Sequence, residues 1–153
     1  MTNRENVHAT ALSLDGKGVL IRGPSGSGKS LLALVLLDQF TARGRDAALV
    51  SDDRVDLAVA DTGILMSAPA TIAGLIELRG RGIVSKPYRD NVRLDLVVDL
   101  VHALERMPEK HDFRVEMLGQ IVARCPVPAV GVIGPEHQRL LIEEALRATT
   151  IDR

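Results

Sequence analysis

Gly23-Pro24-Ser25-Gly26-Ser27-Gly28-Lys29-Ser30 is the stretch from which the rest of the chain can be read. It satisfies the pattern G-x-x-x-x-G-K-S at every position. A chain of phosphates needs several N–H donors converging on it, and glycines let the backbone curl that closely. A helix starting near Lys29 adds the positive end of its dipole. The Lys29 ammonium can reach the β- and γ-phosphates, and the Ser30 hydroxyl can ligate Mg²⁺. Gly23 to Ser30 is therefore read as the nucleotide-binding loop, with ATP and Mg²⁺ as its ligands.

The flanks fit that reading. Val19 to Arg22 reads as a strand before the loop, and about Lys29 to Phe40 as a helix after it. Upstream, Val7 to Leu14 reads as one strand, with His8, Thr10 and Leu12 on one face and Val7, Ala9 and Ala11 on the other. Asp15-Gly16-Lys17-Gly18 turns it into Val19 to Arg22 as a hairpin. Downstream, Arg43-Gly44-Arg45-Asp46 breaks the helix, and Ala47 to Ser51 is a short buried strand. Val55 to Ala60 and Ile64 to Ala68, around Asp61-Thr62-Gly63, form another hairpin. Leu75 to Leu78 and Leu94 to Leu100 are further strands. Pro126 and Pro128 mark an irregular or edge segment, because proline cannot donate to a ladder. Pro135 opens a helix whose spacing runs from Glu136 to Ala148. The expected fold is one α/β domain over residues 1–153, a strand-rich mixed sheet with a phosphate-loop helix and a C-terminal helix.

Asp52-Asp53 closes the strand Ala47-Ala48-Leu49-Val50-Ser51. Carboxylates there stand beside a phosphate loop, where a metal-binding aspartate is wanted. Adjacent residues on a pleat point to opposite faces, so the two divide their roles while the pleat persists. One binds the metal, directly or through water, and the other is free to act as a base.

Composition narrows the function. A net charge of −1 gives no electrostatic case for nucleic acid or an anionic membrane. Phe40, Tyr88 and Phe113 are the only aromatics, too few for a base-stacking platform. The apolar run Leu31 to Leu37 is too short to span a bilayer, and Arg4, Glu5, His8 and Asp15 exclude a signal peptide. The single Cys125 cannot pair internally and reads as a small core residue. The expected setting is a reducing one, the cytoplasm.

His8, Gly18-Val19-Leu20-Ile21, Gly23 to Ser30 and Leu49-Val50-Ser51-Asp52-Asp53-Arg54-Val55 together resemble the catalytic domain of the bacterial HPr kinase/phosphorylase family. Ala68-Pro69 followed by Ile76-Glu77-Leu78-Arg79-Gly80-Arg81-Gly82-Ile83-Val84 is similar to that family's second signature. The resemblance runs from His8 to about Leu146 and matches truncated members that lack the N-terminal domain. It implies a P-loop kinase domain of the HPr kinase type, acting on a serine of HPr or an HPr-like phosphocarrier, and assembly as a hexamer. By resemblance, Lys29 holds the phosphates, and Ser30 and Glu77 bind Mg²⁺, with Asp52 a further metal candidate. One of the two aspartates takes the serine proton, and Asp53 is the choice. His8, Arg79 and Arg106 complete the implied active site.

The chain departs from the family in three stretches. Leu31 follows the loop serine where many members carry Glu, and Ser85-Lys86-Pro87-Tyr88-Arg89-Asp90-Asn91 replaces a longer glycine-rich loop. Cys125-Pro126-Val127-Pro128-Ala129-Val130-Gly131 replaces a segment bearing Arg and Gly. The last change makes the reverse, phosphate-dependent reaction doubtful. Two other classes share the loop: an NTP hydrolase or small-molecule kinase, and a sensor that binds ATP without transfer. The Asp52, Asp53 and Glu77 set favours transfer, since a sensor needs no base beside the γ-phosphate.

Overall fold

In the computed structural model, residues 3–151 are described, without the side chains of residues 150 and 151. Three strands open the chain: β1 (Arg4–Val7), β2 (Thr10–Leu14) and β3 (Lys17–Arg22). The helix α1 (Lys29–Ala42) follows the glycine-rich loop, then β4 (Ala47–Ser51), β5 (Val55–Ala60) and β6 (Gly63–Ser67). Next come β7 (Leu75–Leu78), β8 (Gly82–Ser85), β9 (Val92–Val101), β10 (Arg114–Met117), β11 (Gln120–Pro128) and the helix α2 (Pro135–Ile151).

β9 is the hub. Its first residues pair antiparallel with β6, while β3 and β11 run parallel to it on opposite edges. β2 lies between β3 and β4, antiparallel to both, and β1 and β5 extend the sheet beyond β6. β7 and β8 form a separate hairpin. α1 and α2 cover one face of the central strands, where Leu12, Leu14, Val19 and Ile21 meet Leu32, Leu36, Phe40 and Ile142. On the other face the β5–β6 part of the sheet curls over, and Ala11, Leu20 and Val97 meet Leu57, Ile64 and Met66. Each fully buried Leu or Ile there stabilises the fold by about 1.5–3 kcal/mol.

This two-sided cover explains a difference from the sequence reading. Residues 7–14 are not one strand: the chain breaks at His8-Ala9 between β1 and β2. β1 pairs with β5, whereas β2 pairs with β3 and β4, so the chain changes partners at the break. The Ala9 N–H donates to the Asp53 carbonyl there (3.2 Å). The expected division of faces persists, but both faces are covered: every residue of β2 is buried, with Leu12 and Leu14 toward the helices and Ala11 toward the curled sheet.

Other expectations hold closely. α1 runs two residues past Phe40, and the hairpin after Asp53 has the expected strands, with β6 starting at Gly63. β8 and the β10–β11 hairpin go beyond the sequence reading. Pro126 and Pro128 lie in β11 opposite β9, beyond the reach of β10. The Ala129 N–H points to the Val101 carbonyl, so the odd-numbered amides face β9 and the prolines face the open edge. No helix among the described residues is long and apolar enough to cross a membrane.

Candidate active site

The loop between β3 and α1 is shaped by two glycines in the left-handed region, Gly26 (φ 80°) and Gly28 (φ 94°). A side chain at either would strain the backbone. Gly28 caps α1 without any side-chain bond, and the first turn carries no acid. The helix therefore presents its positive end to the cleft. Lys29, the first residue of α1, is nearly buried, and its Nζ donates to the carbonyls of Gly23 (2.7 Å) and Pro24 (3.1 Å). Burial draws the Lys29 ammonium below its ordinary pKa, against the opposing pull of Asp52 and Asp53.

At the end of β4 the two aspartates part company, as the sequence requires, though not through a continuing pleat. Asp53 takes a left-handed backbone (φ 69°) just beyond the strand. Asp52 is 7% exposed, and its carboxylate accepts from Ser30 Oγ (2.7 and 3.0 Å), Thr10 Oγ1 (2.8 Å) and the Glu77 N–H (3.3 Å). The Asp53 side chain is exposed and pairs with His8 Nε2 at 3.0 Å. Both carboxylates still face the same cleft, because the turn at Asp53 swings its side chain back.

That cleft measures about 830 Å³. His8, Ser25, Gly26, Gly28, Lys29, Ser30, Asp52, Asp53, Glu77 and Arg79 from the sequence reading all line it. Gly23, Pro24 and Ser27 belong to the loop but not to the lining. Glu77 and Arg79 come from the β7–β8 hairpin, with Arg79 Nε 3.9 Å from Glu77 Oε1 and both side chains largely in solvent. Apolar side chains line it as well, among them Leu31, Leu75, Ile83 and Val130. Arg106 is not brought to the cleft; it sits exposed in the loop after β9.

Two features went unread in the sequence. Thr10 lines the cleft, fully buried, and holds Asp52. Arg22, just before the loop, donates to both oxygens of Asp99 (2.8 and 2.9 Å), which also accepts from Arg124 Nε (2.6 Å). Burial pushes the Asp99 carboxyl up, but the bonds from Arg22 and Arg124 outweigh it and hold it below its ordinary value. The cluster anchors the end of β3 to β9 and so steadies the loop's entry. Cys125 is the core residue expected, its thiol pushed up to about 12 by burial.

The donor set suits the ligands that the loop implies. Ser30 Oγ and the Asp52 carboxylate are hard oxygen donors on one side of the cleft, a chemistry that fits Mg²⁺. Among the described residues no group of three or more His, Cys, Asp or Glu could hold a metal by itself.

The profile of the HPr Serine kinase C-terminal domain matches residues 1–148. The chain is similar to the HPr kinase/phosphorylase of Streptococcus thermophilus, 33% identical over 141 residues, which cover 84% of this chain and 43% of that protein. It is also similar to the HPr kinase/phosphorylase of Bordetella pertussis, 34% identical over 158 residues, covering 95% and 48%. The chain thus spans about half the length of the curated relatives it matches. The solved HPr(Ser) kinase/phosphatase of Coxiella burnetii superimposes with a TM-score of 0.72 at 29% identity, over 97% of both chains. With the glycine-rich loop, the paired aspartates and the strand-rich sheet all in their places, the protein belongs to the HPr serine kinase C-terminal domain family.

Proposed function

We propose that this chain, acting as one domain over residues 1–153, transfers the γ-phosphoryl group of ATP to a serine of HPr or an HPr-like phosphocarrier. The observation that carries the reading is one cleft holding three kinds of group: Lys29 at the glycine-rich loop, Ser30 bonded to Asp52, and His8 paired with Asp53. Bound Mg²⁺ supplies a Lewis acid that neutralises phosphate charge. Ser30 and Asp52 hold that ion, with Glu77 as the third candidate. Lys29 leaves the loop carbonyls for the phosphates and stabilises charge growing on the transferred group. Asp53, exposed and free of the metal, accepts the proton of the substrate hydroxyl, and His8 orients it.

The test is incubation with labelled ATP, Mg²⁺ and the organism's own HPr, with mass mapping of any phosphoserine. ATP hydrolysed with no labelled acceptor would replace the kinase by a hydrolase. Binding with neither outcome would leave a sensor. A cytoplasmic protein that regulates a phosphotransferase system is the setting this reading implies.

The reverse reaction is expected to be weak. There inorganic phosphate attacks phosphoserine, giving serine and pyrophosphate, so the site must hold a second anion. Two phosphates in one pocket repel and need cations and donors around them. Cys125 to Gly131 carries no cation, Pro126 and Pro128 have no N–H, and Val130 makes the nearby wall apolar. Arg124, the adjacent cation, is engaged with Asp99 and the Asp112 carbonyl (2.9 Å). Phosphoserine-bearing partner with millimolar phosphate and no ADP should yield little pyrophosphate; rates near the forward reaction would refute this.

Assembly as a homo-oligomer, a hexamer by family resemblance, is also expected. Light scattering at micromolar protein should give a multiple of the 16.5 kDa chain mass, and a monomer would refute it.

A further inference from the structure

The two aspartates are each held by a partner from the same short stretch, two residues apart. His8 holds Asp53 and Thr10 holds Asp52. Family resemblance drew attention to His8, whereas nothing in the sequence reading assigned a role to Thr10. We infer that Thr10 is a positioning residue that fixes the Asp52 carboxylate for metal-nucleotide binding. The inference rests on the phosphotransferase reading and deepens it.

Geometry carries the argument. Asp52 Oδ1 accepts from two hydroxyls, Thr10 Oγ1 at 2.8 Å and Ser30 Oγ at 2.7 Å. Oδ2 faces Ser30 Oγ at 3.0 Å and the Glu77 N–H at 3.3 Å. Ser30 cannot be the carboxylate's only anchor, because its oxygen is wanted by the cation. The Glu77 amide is long and sits on the β7–β8 hairpin, which pairs only with itself. Thr10 is different. It is fully buried, lies on β2 between β3 and β4, and its β-branched side chain is stiff. Its hydroxyl does not need to move when Ser30 turns to the metal. A buried hydroxyl also requires a partner, and Asp52 provides it. Thr10 therefore keeps one carboxylate oxygen occupied and aims the other. Groups that orient a metal's ligands in this way typically govern 10–100-fold in affinity, as an order of magnitude.

The experiment compares wild type, Thr10→Val and Thr10→Ser by binding, not turnover. A fluorescent ATP analogue is bound to the full chain, and Mg²⁺ is titrated to find the midpoint at which its affinity rises. Thermal melting checks that each variant is folded. Thr10→Val should raise the Mg²⁺ midpoint roughly 10–100-fold. Thr10→Ser, which restores the hydroxyl, should return it to the wild-type value. An unchanged midpoint in Thr10→Val would overturn the inference while leaving the kinase reading intact. Equal shifts in both variants would also overturn it, since packing rather than the hydroxyl would then matter. Wild-type protein with no Mg²⁺-dependent binding would overturn the phosphotransferase reading and this inference together.

Discussion

Lys29→Ala is expected to abolish measurable phosphoryl transfer while leaving the fold intact. Lys29 starts α1, where a cation opposes the helix dipole, and it is nearly buried, which penalises its charge. Both features are costs to the free protein. They make sense only if an anion enters the loop, where the ammonium then meets charge that grows in the transition state. Losing one charged donor at such a place costs on the order of 10³-fold in turnover. Stability should not fall with it. The bonds that Lys29 makes are to the carbonyls of Gly23 and Pro24, which water can replace, and Ala is a good helix former. The variant should melt at or above the wild-type temperature. Near-normal turnover would show that the loop does not bind the transferred phosphate.

Asp53→Asn should cut transfer to serine by roughly 10²–10⁴-fold and leave nucleotide binding unchanged. Asn tolerates the left-handed backbone that residue 53 adopts, so the substitution removes charge without straining the chain. It keeps an oxygen and a nitrogen for His8, so the pair need not separate. Asp52→Asn should behave otherwise. Its amide would set a donor against the hydroxyls of Thr10 and Ser30 and the Glu77 N–H, all of which now donate to a carboxylate. The expected result is weakened Mg²⁺ dependence. Reversed phenotypes would exchange the roles of the two aspartates, and two silent variants would sink the kinase reading. Steady-state kinetics with Mg²⁺ varied separates the cases.

Much of the site was legible because its signals are local. Gly23 to Ser30 needs only its own backbone and the first turn of α1 to make a phosphate cradle, so the pattern and its flanks suffice. Asp52 and Asp53 were found because a short apolar strand ends at them. His8, Glu77 and Arg79 came through family resemblance, and all three line the cleft. Arg106 came the same way, on a match one residue deep, and stands apart in an exposed loop. Thr10 was not legible: one threonine in an apolar strand carries no local mark of its distant partner, 42 residues on.

The same division runs through the fold. By itself the sequence determined the phosphate loop between its strand and helix, the β2–β3 turn, the β5–β6 hairpin and the C-terminal helix. These depend on glycine freedom, turn chemistry and helical spacing, all set within a few residues. Tertiary structure alone decided where the chain breaks at His8-Ala9, because the break marks a change of strand partner rather than a change of propensity. It decided that β2 is buried on both faces, since the helices and the curled sheet arrive from elsewhere in the chain. It also decided which aspartate is buried and which is exposed. Asp52 is fixed by hydroxyls from β2 and α1, while Asp53 turns out of the strand to meet His8, and both outcomes rest on contacts between residues far apart in sequence.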